Sequence, residues 1–310
     1  MYFCINWKKV NLKMPKVPKR EEYLRKPEWL KISLRSTANT ADVEHIVEGK
    51  CLHTICTSGM CPNKAECWSR RTATFMILGD ICTRNCRFCA TTTGRPLPVD
   101  AAEPMKVAES VKQMGLKHVV ITSVTRDDLS DHGAQIWAET VEAVRRLNPN
   151  STIELLISDM DARPELIDMV LASRPDIVGH NIETVERLTP EVRSRAKYRT
   201  SLATLRHIAE SGAVAKSGLM VGLGESEEEI LQTLRDLREV GVSIVTLGQY
   251  LQPTKEHYPV KAYITPEKFE EYRLKALEMG FAYCASAPLV RSSYLADAAL
   301  EAVREVCKTE

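Results

Sequence analysis

From about residue 72 the apolar and polar positions settle into a repeat in which β-rich runs alternate with stretches of helical periodicity. That alternation is the signature of parallel βα units. Six strands are predicted, at Thr72–Leu78, His118–Ser123, Thr152–Ser158, Asp176–Gly179, Val214–Val221 and Ser243–Leu247. Helices are predicted between them at Pro104–Met114, Ala134–Leu147, Pro164–Ala172, Ser201–Ser211 and Glu227–Val240. Pro104 and Pro164 stand where a first helical turn tolerates proline, and Gly115, Gly212 and Gly241 fall just past helix ends.

Six units are too few to close an eight-stranded barrel but enough for a curved, partly open one, with its chemistry at the carboxyl ends of the strands. The predicted fold is therefore α/β, a partial (β/α)6 TIM-type barrel over residues 71–280 with N- and C-terminal extensions. Residues 1–70 and 281–310 do not follow the repeat. No low-complexity linker separates them, so they are expected to close over the barrel.

At 310 residues with 44% hydrophobic content the chain can bury a substantial core. Its formal charge of +1 asks for neither nucleic acid nor an anionic membrane. Apolar runs such as 119–122 and 153–157 are far shorter than the roughly 20 residues of a membrane-spanning helix. The ten cysteines are clustered, which argues against a secreted disulfide framework and for a reducing, cytoplasmic setting. The opening MYFCINWKKVNLK lacks the arginine, serine and apolar block of a targeting peptide, and Met14 offers a second start, so residues 1–13 read as a loose extension.

Cys82, Cys86 and Cys89 form C-x3-C-x2-C in the loop after the first strand, within GDICTRNCRFCA. Such short gaps let three sulfurs converge on one iron–sulfur cubane and leave its fourth iron without a protein ligand. Cys86-x2-Cys89 alone would suit zinc, but a zinc ribbon needs a second knuckle. On a βα-repeat mouth, the spacing with Phe88 before its last cysteine resembles the radical S-adenosylmethionine enzymes. By that resemblance the open iron binds the amine and carboxylate of S-adenosylmethionine. An electron from the cluster then cleaves this cofactor to methionine and a 5′-deoxyadenosyl radical.

The first triplet in chain order, Cys56, Cys61 and Cys67 at C-x4-C-x5-C, precedes the barrel and the second triplet at Cys82–Cys89, and Cys51 adds a further x4 step, so spacing alone leaves any three of the four possible. HTICTSGMCPNKAECW followed by TATFMILGDICTRNCRFC resembles the lipoyl synthase family, together with HNIETV, GLMVGLGE, LGQYLQP and RSSY across residues 28–296. The resemblance implies an auxiliary [4Fe–4S] cluster on Cys56, Cys61 and Cys67, with Ser292 of RSSY as its fourth ligand and Cys51 a bystander. A serine oxygen is harder than thiolate, so its bond to iron should be the easiest to release. Cys284 is close in sequence and a competitor for that place, though a cysteine ending an apolar strand is more often packed core. Cys4 and Cys307 are expected to have no metal role.

For the remainder of the cofactor, the strand ends offer Thr122 and Ser123, Asn181 and Glu183, and Arg195. Family members present hydroxyl and backbone groups to the methionine amine at the place of Thr122 and Ser123. Asn181 and Glu183 are placed for the carboxylate or ribose, and Arg195 for a bidentate contact to the methionyl carboxylate. Capping and surface ion pairing compete for each. Gly222 and Gly224 resemble a cofactor-side turn, which close packing explains equally well. His132 and His180 read as structural, and Arg126–Asp127–Asp128 as a polar loop network.

The implied reaction inserts two sulfur atoms at C6 and C8 of an octanoyl chain in amide linkage to a lysine of a lipoyl carrier domain. Two equivalents of S-adenosylmethionine are consumed, and the auxiliary cluster is the sulfur source. Implied partners are octanoylated lipoyl carrier domains (2-oxoacid dehydrogenase E2 subunits and the glycine cleavage H protein), flavodoxin or ferredoxin as electron donor, and an iron–sulfur carrier that rebuilds the consumed cluster. The basic stretch Lys13–Lys26 is a candidate face for an acidic carrier. A biotin synthase-like enzyme would share the second triplet but not the first with RSSY, and a two-cluster electron carrier would need no βα scaffold.

Overall fold

The computed structural model describes residues 24–32, 37–294 and 296–309. Cys4, the opening 1–13 segment and most of the basic Lys13–Lys26 stretch lie outside these residues, as does the side chain of Cys307.

The chain enters with α1 (Ala38–Gly49), β1 (His53–Thr54), α2 (Ile55–Ser58) and α3 (Lys64–Ser69). The barrel follows as β2 (Thr74–Ile77), a small ribbon of β3 (Ile81–Cys82) and β4 (Thr92–Thr93), α4 (Glu103–Met114), β5 (His118–Ser123), α5 (Ala134–Leu147) and β6 (Thr152–Leu156). It continues with α6 (Pro164–Ala172), β7 (Ile177–Gly179), α7 (Thr189–Val192), α8 (Tyr198–Glu210), β8 (Val214–Val221), α9 (Glu227–Glu239) and β9 (Ile244–Gln249). The chain ends in α10 (Pro266–Glu278), β10 (Tyr283–Ser286) and α11 (Ala296–Thr309). Among the described residues no helix is long and apolar enough to cross a membrane.

One eight-stranded sheet runs β1-β2-β5-β6-β7-β8-β9-β10. The six expected strands are all present as β2 and β5 to β9, each parallel to its neighbour. Each edge gains one strand beyond them: β1 is antiparallel to β2, and β10 extends the parallel order past β9. This is the open, curved sheet of a partial barrel, with the helices packed outside it.

Local sequence explains the helix ends. Pro104, Pro164 and Pro266 begin their helices, and Ser226 with Glu229 closes a reciprocal capping box at α9. Gly115 ends α4 in the left-handed conformation, at φ 66°.

The two ends of the barrel are finished by one C-terminal segment. Ala299, Leu300 and Val303 of α11 pack on Ile177 and Ile244, with Val214 and Tyr283 beside them, and these are the first residues of β7, β9, β8 and β10. Helix α11 therefore plugs the amino ends of the strands, where burying each leucine or valine stabilises by about 1.5–3 kcal/mol. Residues 288–294 lie at the opposite mouth, at the carboxyl ends. Between the two ends, inside the barrel, Lys216 donates to Glu154 at 2.6 Å, and both side chains are buried.

Candidate functional site

Strand β2 stops where the chain must turn into the cysteine loop. Leu78 takes φ 68° and Gly79 φ 90°, and both backbone groups of Leu78 are held by buried side chains. Its N–H donates to Glu103 Oε2 at 2.7 Å, and its carbonyl accepts from Arg126 Nη1 at 3.2 Å. The polar Arg126–Asp128 loop thus builds the turn that launches the triplet.

Arg84, inside the triplet, anchors the loop to two strand ends. Its guanidinium reaches Asp127 through Nε and Nη2 at 2.9 and 2.8 Å, and Asp159 through Nη1 and Nη2 at 2.9 and 2.8 Å. Burial opposes its charge, but Asp127 and Asp159 hold it above its ordinary value. Against the same burial, Arg84 and then His180 bring Asp159 down to about 2. All three groups are ionised and desolvated together, which is tolerated only because the pairing is complete.

The loop that results holds Cys82, Cys86 and Cys89 close enough for their thiols to bear on one another electrostatically. Cys82 Sγ accepts backbone N–H groups from Arg84 and Thr125, each at 3.4 Å. Cys89 N–H donates to Cys86 O at 3.0 Å, and Cys89 Sγ lies 3.3 Å from Thr91 Oγ1. Burial pushes the Cys89 thiol up.

Cys56, Cys61 and Cys67 also converge. Burial raises Cys61, and burial followed by the neighbouring Cys56 and Cys61 pushes Cys67 up to about 12. Among the described residues Cys51 stands outside this group, exposed and near Lys106. Cys284 is buried on β10, its thiol pushed up to about 12 by burial, with Arg273 opposing the rise and Glu270 adding to it.

Residues 288–294 are clasped onto the first-triplet segment. Asn63 Nδ2 donates to Leu289 O at 2.7 Å, Thr74 Oγ1 to Ser293 Oγ at 2.8 Å, and Tyr294 Oη to Glu66 Oε1 at 3.0 Å. Arg291 bears on Cys61. Gly248 permits the approach, because a Cβ there would lie 2.2 Å from Val290 O.

A single cavity of about 570 Å³ at this mouth is lined by Cys82, Cys86 and Cys89 on one side and by Cys61, Arg291 and Ser292 on another. Thr122, Ser123, Asn181 and Glu183 line it as well. Thr122 Oγ1 already donates to Leu156 O at 3.0 Å. Asn181, expected at the cofactor carboxylate or ribose, donates through Nδ2 to Ser292 Oγ at 2.9 Å. Glu183 sits at φ 66°; burial raises its carboxyl, opposed by Arg193 and the Asn181 amide.

Arg195 departs from expectation. It is not among the cavity-lining residues; it pairs with Asp161 at 2.8 Å and reaches Asp127 at 3.6 Å, with about half of its side chain in solvent. The guanidinium lining the cavity is Arg193, two residues earlier. It is buried, donates to Ser201 Oγ at 2.9 Å and Ile182 O at 3.3 Å, and its Nε has no partner. On a regular extended stretch an i, i+2 pair would share one face; here the chain bends at Ser194–Arg195 and separates the two guanidinium groups, and nothing in RSR says which arginine turns inward.

His180 is structural. Its Nδ1 lies 3.0 Å from Ile157 O, a carbonyl that can only accept, so the neutral ring carries its proton there and Nε2 accepts from the Ser201 hydroxyl at 2.9 Å, whose oxygen also accepts from Arg193. Gly222 and Gly224 do not line the cavity. Gly222 instead gives way to Gln249 Nε2 and Ala262 O, within 2.2 and 2.4 Å of where a Cβ would stand.

A family model described as the radical SAM superfamily matches residues 76–237. A lipoyl synthase of Porphyromonas gingivalis is 58% identical over 277 residues, covering 89% of this chain and 98% of its own. A lipoyl synthase of Parabacteroides distasonis is 56% identical over 276 residues, with the same shares covered. Among solved structures, methylornithine synthase superposes with a TM-score of 0.55 over 82% of this chain and 84% of its own, at 14% identity, a likeness of fold alone.

Proposed function

Because the chain belongs to the lipoyl synthases of the radical S-adenosylmethionine superfamily, we propose how its own residues divide the work of that reaction. The enzyme is a sulfurtransferase. It inserts two sulfur atoms at C6 and C8 of a protein-bound octanoyl-lysine to give lipoyl-lysine, using S-adenosylmethionine and iron–sulfur chemistry, with an auxiliary cluster as sulfur source.

Cys82, Cys86 and Cys89 would hold one [4Fe–4S] cluster, and Cys56, Cys61 and Cys67 with Ser292 the other. The donor sets fit. Each triplet offers three converging thiols, and two backbone N–H groups point at Cys82 Sγ. The raised thiols mean that each cluster must displace protons as it assembles. Bound there, the clusters and the cofactor supply an electron, a hydrogen-abstracting radical and sulfide.

The observation that carries the reading is the shared cavity: Cys82, Cys86 and Cys89, Cys61 of the other set and Ser292 open onto one space. A methylene carbon has no acidic proton to remove, so hydrogen abstraction and sulfur delivery have to occur at one place. Met60, Leu156, Leu219 and Met220 give that space apolar wall for an octanoyl chain. Thr122, Ser123 and Glu183 supply polar groups for the cofactor, and the unpartnered Nε of Arg193 takes the place expected for Arg195 as the partner of its carboxylate. Lys26, Ile32 and Met60 belong to the same lining, and Met60 is strongly exposed, which suits a carrier domain presenting its lysine arm at the mouth. Lipoyl carriers of the E2 and H-protein type, a flavodoxin or ferredoxin donor and an iron–sulfur carrier complete the proposed set of partners.

Anaerobic reconstitution and assay on an octanoyl-lysyl peptide tests the division of labour. Cys86→Ala is expected to form no 5′-deoxyadenosine. Cys56→Ala is expected to form it without lipoyl product; product from Cys56→Ala would remove the first triplet as sulfur source.

A further inference from the structure

Asn181 lies two residues past Gly179, the carboxyl end of β7, and its amide crosses the mouth of the barrel to the C-terminal segment. The crossing is built into the sheet. A Cβ on Gly218 of the neighbouring strand β8 would lie 2.7 Å from Asn181 Oδ1 and 2.9 Å from Thr246 Oγ1, so the amide occupies the space that a side chain at 218 would fill. Its Nδ2 then reaches Ser292 Oγ at 2.9 Å, a contact between residues 111 apart in sequence.

A serine hydroxyl carries two lone pairs. A donor on one of them fixes the Cβ–Oγ rotamer and leaves the other free for a metal. We propose that Asn181 is a positioning residue for the auxiliary cluster: its amide N–H holds Ser292 Oγ in the ligating orientation, and Gly218 exists to let it do so. The inference rests on Ser292 being the fourth ligand. It gives the oxygen one constant hydrogen-bond partner whether or not iron occupies the other lone pair, so opening and rebuilding the cluster does not leave the hydroxyl without a partner.

The test uses the full chain with Cys82, Cys86 and Cys89 all changed to Ala, so that only the auxiliary cluster assembles, and follows iron release to a chelator together with the paramagnetic spectrum of the reduced cluster. Asn181→Leu keeps the volume and removes the donor; Gly218→Ala keeps the amide and displaces it. Both are expected to release iron roughly 3- to 10-fold faster than the parent, the range that loss of one neutral hydrogen bond permits. Ser292→Ala should do so more strongly, with an altered spectrum. Parent-like release from both Asn181→Leu and Gly218→Ala, with Ser292→Ala still fast, overturns the role of Asn181 alone. Parent-like release and spectrum from Ser292→Ala removes the ligand assignment itself. If Asn181→Leu does not fold, Gly218→Ala decides the matter.

Discussion

Arg84 and Asp159 meet across the barrel mouth in a close ion pair, with a hydrogen bond from Nη1 to Oδ2 at 2.9 Å and Nη2 2.8 Å from Oδ1, that joins the middle of the cysteine loop to the segment following β6. Asp127 takes the remaining edge of the same guanidinium. The cluster loop is thus positioned by charge fixed on rigid strand ends, more than by its own short ribbon of β3 and β4.

Replacing Arg84 with Met should therefore deprive two buried carboxylates of their shared guanidinium and cost about 3–5 kcal/mol of stability. Arg84→Lys restores the charge but not the planar fork, and should recover only part of the loss. Urea denaturation of the cluster-free protein measures both, and the iron content of the reconstituted Cys82–Cys89 site should fall in the same order. A Met variant that unfolds at the parent's midpoint and assembles a full cluster would exclude this role for Arg84.

His180 carries the second prediction. Burial first, then the nearby Arg193, brings its imidazole down from 6.5 to about 4, with Asp159 pulling the other way. The folded state keeps His180 neutral while the unfolded state takes up a proton at about 6.5, so the unfolded state binds more protons between those values. Stability contributed by the neutral ring is complete above pH 6.5, is lost as pH falls toward about 4, and levels off below. The loss is on the order of 3 kcal/mol. His180→Gln should flatten the urea midpoint across that window; an unchanged slope would exclude His180 as its source.

What the sequence made legible follows from the range of the forces involved. Strand and helix periods, the proline starts and the cysteine spacings are local, and they located β2 and β5 to β9 within about two residues at each end. Strand β10 was not read, because four residues on a sheet edge carry no distinctive alternation, and α10 before it is rich in charge. The Arg84–Asp127–Asp159 hub was invisible for a different reason: its members lie 43 and 75 residues apart, and an ion pair at that separation leaves no local pattern. Asn181 and Glu183 were picked out as residues of the mouth, but only the fold shows that the amide of the first is turned to Ser292.

Deep in the barrel, Lys216 and Glu154 make a prediction about stability that does not involve the site. Their 2.6 Å contact is sealed from water, and His118 Nε2 lies 3.7 Å from the other Glu154 oxygen. Lys216→Met alone should strand the carboxylate and cost about 3–5 kcal/mol, whereas Lys216→Met with Glu154→Leu should recover most of that loss. A double-mutant cycle in urea reads the coupling directly. Additive losses would show that the pair is not an energetic unit.

The docking of the C-terminal segment onto β9 gives the last prediction, because one glycine governs it. Gln249 N–H donates to Pro288 O at 3.2 Å, and Ala287 N–H to Leu247 O at 3.2 Å, so residues 287–290 run against the end of β9 with Gly248 between these two bonds. A methyl group at 248 would meet Val290 O at 2.2 Å, a distance no carbon and oxygen sustain, and both are tied to backbone. Gly248→Ala must push the segment away by most of an ångström and carry Ser292 off the Asn181 amide. The Cys82–Cys89 loop, held from β5 and β6 by Arg84, is untouched by that shift. The variant should still form 5′-deoxyadenosine, while lipoyl product falls on the order of 100-fold, the cost that a misplacement of this size can impose. Parallel measurement of deoxyadenosine and lipoyl-lysine on an octanoyl-lysyl peptide separates the two effects. Equal loss of both would mean that the C-terminal segment supports the whole mouth, and not the auxiliary site in particular.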